Sequence, residues 1–252
     1  MMNMVRADLY ALLRGKAFYV TFGIVLLVNM FMIGGLAIGM GIGMPPLDGM
    51  GSARFLYGSD TTVFLLLPLF FMAAAPIFIY ATVKNDLAWG IPRARLYLSK
   101  LATTMLLCAF SLLFYMASGM LVATAINGFG SPVDGYWQNF FQVLGSQLFI
   151  MLALTCIGIF LVFTTKRTGA VIGIYFAFIL VPTIVFAIMS AMGLGTAAEM
   201  LRELDLRDSI SRLANIGQME TGEAAKILGA GAAYMLVSTA GGIALFKRAE
   251  IK

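Results

Sequence analysis

Residues 84–100 read KNDLAWGIPRARLYLSK, a polar segment between two long apolar runs. Lys84, Arg93, Arg95 and Lys100 stand against one acid, Asp86. A short loop with that excess of Lys and Arg is retained on the cytoplasmic face of a membrane, so this stretch orients the spans on either side of it. Asn85 to Trp89 has room for about one helical turn, Gly90 suits a left-handed cap, and Pro92 suits the first position of a new helix. Arg93 and Arg95 then lie near a helix N-terminus, which disfavours cations by about 0.3–1 kcal/mol. Attraction of each to an anionic leaflet, about 1 kcal/mol, offsets that cost. These cations are expected to face lipid phosphate or an acidic partner.

Working outward, 61% of the 252 residues are hydrophobic and only 12% charged, with a mean hydropathy of +0.93. Soluble domains are about twice as charged, so the chain reads as an all-α integral membrane protein. The net charge of +5 is scattered at the ends of apolar runs and forms no basic patch interleaved with aromatics, which argues against nucleic acid as a partner. Cys108 and Cys156 fall within apolar spans, where free Cys acts as a small hydrophobe.

Six spans are expected, at about 17–43, 61–83, 101–126, 146–165, 170–192 and 226–246, in a single transmembrane domain covering 1–252. Ahead of them, residues 1–16 carry Val5, Leu9, Leu12 and Leu13 on one face with Arg6, Arg14 and Lys16 beside it, the pattern of an amphipathic interfacial helix. The first apolar run is too long for a signal-peptide core and is expected to be a retained span. Gly35, Gly39 and Gly43 recur every fourth residue there, a bare stripe for close helix approach, and LGAGAA at 228–233 offers a second. Pro68 and Pro76 in the second span and Pro182 in the fifth are expected to kink their helices. The loop after Pro45 and Pro46, with Asp48, Arg54 and Asp60, reads as polar. Between spans five and six lies an extracellular helical loop, 193–223, where Thr196 and Glu199 form a capping box and Asp208 with Arg212 an i,i+4 pair. One helix is expected there over about 197–214.

Six spans put both termini on one side. With the termini inside, Arg6, Arg14, Lys16, Lys84, Arg93, Arg95, Lys100, Lys166, Arg167, Lys247, Arg248 and Lys252 are cytoplasmic, most of the 17 basic residues. The outside keeps only Arg54, Arg202, Arg207, Arg212 and Lys226.

The chain has no histidine, which excludes imidazole-based metal sites and His-dependent triads. It has no phosphate-binding GxxxxGK[ST] loop and no mid-span Asp, Glu, Lys or Arg of the kind that ion-coupled carriers place there. Asn29, Gln142, Gln147, Thr103, Thr104, Ser111 and Thr155 are the main polar groups near or within spans, read first as interhelical hydrogen bonds. A membrane machine with neither nucleotide site nor ion relay needs a partner, and residues 84–100 supply a place to attach one.

The basic amino-terminal helix, the KNDLAWGIPRARLYLSKL loop, the acidic helical loop before span six and the closing LFKRAEIK together resemble the permease subunits of type-2 ATP-binding-cassette exporters. The similarity is closest to small permeases of bacterial peptide-antibiotic (lantibiotic or bacteriocin) immunity and export systems. What it implies is a non-catalytic half-transporter in the bacterial cytoplasmic membrane, paired with a second copy or a sister permease. This chain binds no cofactor; ATP and magnesium belong to a separate ATPase subunit. Asn85, Asp86, Leu87, Trp89, Gly90, Ile91 and Arg93 map to the short cytoplasmic coupling helix, with Trp89 a knob into the ATPase groove and Asp86 where family members often have Glu. Arg6, Leu9, Tyr10 and Arg14 map to the connecting helix at the same interface. Gly35, Gly39, Pro68, Pro76 and Pro182 map to the gate between copies, and a hydrophobic or amphipathic cargo such as an antimicrobial peptide is implied. The alternative is a membrane anchor or sensor that recruits a soluble partner without transport.

Overall fold

A computed structural model of the chain describes residues 2–38, 47–74, 82–131, 134–194, 199 and 202–248. Among them there is no strand. The helices are α1 (Met2–Arg14), α2 (Lys16–Ala37), α3 (Gly49–Gly58), α4 (Leu66–Ala73), α5 (Thr82–Ala88), α6 (Arg93–Asn127), α7 (Tyr136–Thr165), α8 (Thr168–Ala191), α9 (Leu206–Leu213) and α10 (Thr221–Arg248). Short 3₁₀ turns cover Asp60–Leu65 and Ile216–Gln218.

Five of these helices, α2, α6, α7, α8 and α10, are long and apolar enough to cross a membrane. The chain is therefore an all-α protein of membrane-spanning character. The second expected span is not one continuous helix among the described residues. Its described parts are the 3₁₀ turn, α4 and α5, and residues 75–81, with Pro76, lie outside the described set. Pro68 stands in the first turn of α4, where its missing N–H has no intrahelical acceptor to lose, so it opens a helix instead of kinking one. Pro182 lies inside α8, where it was expected.

α6 and α7 form the spine. Two thirds of the most apolar window of α7 is buried, against 17% of that of α8 or α10. Close approach explains the difference. At Gly158 of α7 a Cβ would collide with the ring of Phe70 from α4, and at Gly231 of α10 it would crowd Ile150 and Phe149 of α7. The expected small-residue surface of α10 is thus an intramolecular contact. α2 buries Phe18, Phe22, Val25, Asn29 and Ile33 along one stripe and turns Ile24, Leu27 and Phe31 outward. Asn29 Nδ2 on that stripe donates to the Tyr115 carbonyl (3.0 Å) and to Ser118 Oγ (2.6 Å) on α6. Thr103, Thr104 and Thr155 instead donate back to the carbonyls of Ser99, Lys100 and Met151, four residues earlier in their own helices.

Two features were not anticipated. α3 occupies part of the segment read as a polar loop. Asp48 caps it, with Oδ1 accepting from Gly51 N (2.6 Å), and Ala53, Leu56 and Tyr57 are buried. The expected helix over 197–214 breaks at Asp205, whose Oδ1 accepts from the N–H of Arg207 (2.9 Å) and Asp208 (3.4 Å) to start α9 afresh. Residues 195–198, with the expected Thr196 cap, lie outside the described set. The Asp208–Arg212 pair forms (3.8 Å), and Arg202 joins it from the other side (2.8 Å). Buried Gln147 of α7 ties both unexpected elements together, donating to the carbonyls of Tyr57 on α3 (2.5 Å) and Ile210 on α9 (3.1 Å).

Candidate functional site

The two ends of the bundle differ in charge. At one end α1, the start of α6 and the ends of α7 and α10 converge: Tyr97 packs against Phe163, and Phe163 against Phe246, each pair with ring centroids 4.9 Å apart. The Lys166–Arg167 turn and Lys247 and Arg248 lie at the same end, while Lys252, expected with them, lies outside the described residues.

The segment 82–100 is built in layers there. α5 ends in a Schellman motif: Gly90 N donates to the Leu87 carbonyl (3.0 Å) and Ile91 N to the Asp86 carbonyl (3.3 Å). That motif needs a left-handed residue, and Gly90 supplies it at φ +76°. The left-handed cap expected at Gly90 is therefore present, while Pro92 acts as the N-cap of α6 and not as its first residue. Leu87 and Ile91, on either side of the turn, pack against the core. Trp89 between them is 86% exposed, the most exposed large apolar side chain of the described residues. The motif thus pins both neighbours of an indole that touches nothing beneath it.

The cations around this turn do not all face outward. Arg93 Nη1 donates to the carbonyls of Phe246 (3.2 Å) and Lys247 (2.8 Å), satisfying acceptors at the C-terminus of α10. That bond follows from charge: a helix C-terminus carries partial negative charge and attracts the guanidinium. Lys100 likewise pairs with Asp8 of α1 (2.7 Å) in place of lipid phosphate. Asp86 lies close enough to feel both. Burial raises its carboxyl above the ordinary range, Lys100 pulls it back, and the like charge of Asp8 adds to the rise. Arg95 remains exposed, and of Asn85 only the backbone, within α5, is described.

In α1, Val5 is buried, Leu9 and Leu12 are half-buried, and Arg6, Tyr10 and Arg14 are exposed, with Arg14 stacked over the Tyr10 ring at 4.5 Å. Leu13, expected on the apolar face, points outward. The Asp8–Lys100 bridge locks this helix to α6 beside the turn. Sequence spacing carried no signal for that bridge, because its partners are 92 residues apart.

The residues assigned to a gate between copies are seen here in one chain alone, with Pro76 outside the described residues. An added Cβ at Gly35 meets nothing, so its face is open, and Gly39 lies outside the described residues. A Cβ at Gly34 would rest in ordinary contact with Val122 of α6. Cys108 and Cys156 are buried free thiols. Compared with protein-family models and with curated proteins, the chain matches none.

Proposed function

We propose that this chain is the membrane permease subunit of an ATP-binding-cassette transporter in a bacterial cytoplasmic membrane. A separate ATPase subunit docks on the basic end, and its ATP hydrolysis drives export or expulsion of a hydrophobic or amphipathic substrate, with antimicrobial peptides the leading class. Both termini are then cytoplasmic, and the expected partner in the membrane is a second copy or a sister permease.

One observation supports this most: Trp89 stands clear on a Schellman-capped turn whose neighbours are fastened to the core. An exposed indole costs solvation unless something covers it, and Trp is the residue most often found as an interface anchor. A rigid turn passes a push from the ATPase into α6 instead of absorbing it. α1, locked alongside through Asp8, widens the docking platform.

The test is to purify the tagged chain in mild detergent from its native cells and measure what accompanies it. The reading expects a P-loop ATPase at about one copy per chain, with Trp89→Ala lowering that association about tenfold or more, the scale of an interface anchor, at unchanged thermal stability. Recovery of a soluble non-ATPase partner would replace it with the anchor or sensor reading.

A further inference from the structure

The end opposite Trp89 carries a cavity of about 510 Å³ whose charged walls are Asp48, Arg54 and Asp134. Below it, a groove of about 810 Å³ runs between α7 and the first two turns of α10. The two adjoin, with Gln138, Gln142 and Gly217 lining both. On α7 the shared wall continues as Gln138, Gln142, Gly145 and Phe149, one helical stripe about 16 Å long. Its chemistry changes along that length. The upper part is carboxylate, guanidinium and amide, whereas Phe149, Ile216, Met219 and Leu228 make the lower part apolar.

Depth is marked by the aromatic rings beside the cavity. Trp137, 45% exposed, stacks between Phe129 (6.1 Å) and Phe141 (6.2 Å). An exposed Trp with flanking rings at the head of a long apolar helix is the membrane-interface belt. The cavity therefore lies at the headgroup level, and the groove leads from it toward the acyl region, reaching the first turns of the spans expected from 146 and 226 at Phe149 and Leu228. The two carboxylates give this wall a net negative charge that repels a plain anionic head, and a plain cationic head would leave Arg54 unpaired. A head that carries both charges satisfies all three.

From this geometry we propose a binding site for a zwitterionic acyl lipid, its head between Arg54 and the Asp48–Asp134 pair and one chain along the α7–α10 groove. The site is independent of the ATPase reading.

Native mass spectrometry of the full chain, titrated with lysophosphatidylethanolamine, tests it without any partner present, so a failure here and a failure of the ATPase reading are distinguishable. Gly145→Leu fills the groove, and a Cβ at Gly145 meets nothing, so the fold tolerates it. Gly229→Leu, equally open but outside the groove, is the control. Affinity is expected to fall about tenfold in Gly145→Leu and to hold in Gly229→Leu. Arg54→Gln is expected to weaken the zwitterionic lipid about tenfold while leaving a monoacylglycerol with the same chain unaffected. Equal losses in both glycine variants, or binding of glycerophosphoethanolamine as tightly as the lysolipid, would overturn the groove. An Arg54→Gln effect identical for both head groups would overturn the head assignment.

Discussion

At the Trp89 end, Arg93 and Lys100 are bonded within the molecule and an apolar ring projects. At the opposite end Asp48, Arg54, Gln138 and Gln142 line open space. On the proposed function and the proposed lipid site, the contrast follows from what each end would meet. A docking surface for a folded partner gains from rigidity, since every side chain ordered in advance is entropy not lost on association. A site for a flexible molecule needs unsatisfied polar groups around a volume that its occupant completes.

Three substitutions break or sharpen that contrast. Gln147→Leu should have the largest effect, about 3 kcal/mol, because it leaves the Tyr57 and Ile210 carbonyls without their donor. Thermal unfolding in detergent should show the loss. Hydrogen exchange should rise over 49–58 and 206–213 but not over 82–100, where equal loosening would mean that the two ends are not separately held. Lys100→Met should cost about 2 kcal/mol by leaving Asp8 and the half-buried Asp86 facing each other. Its signature is early proteolysis of α1, with Lys100→Arg restoring most of the resistance.

The smallest effect concerns Asp205. Burial raises its carboxyl above the ordinary range, against the opposing pull of its hydrogen bonds from the Arg207 and Asp208 N–H groups and from Thr183. The folded state therefore holds the proton more tightly than the unfolded one, and stability falls as pH climbs through the range just above the ordinary carboxyl value. Asp205→Asn keeps an acceptor for the cap while removing the charge. Its unfolding midpoint should vary less with pH than that of the parent on the alkaline side of the ordinary carboxyl value. A parallel pH profile would show that Asp205 is not the group responsible.

Much of the docking end was legible from local chemistry. Gly90 announced a left-handed cap, and the amphipathic spacing of residues 2–14 announced α1. What escaped were the long-range bonds, Asp8 to Lys100 and Arg93 to the end of α10, which convert expected free cations into structural ones. At the other end, α3 was hidden because GMGSARFLYG is neither apolar enough for a span nor periodic enough to stand out, although Asp48 was a readable cap. The break at Asp205 was missed because Thr196 and Glu199 satisfy the capping-box pattern for one helix, whereas Asp205 starts α9 with a cap of its own.

By itself the sequence determined that the chain is helical and where five of its six expected spans run, since these follow from local hydropathy. It did not determine which helix is central. α7 and α8 are almost equally apolar, yet one is the hub and the other lies on the rim. Lipid solvates an apolar side chain as well as another helix does, so hydrophobicity cannot rank burial inside a bilayer. Close contacts decide it: Gly158 beneath the Phe70 ring, Gly231 against Ile150, and the two carbonyls that meet on Gln147.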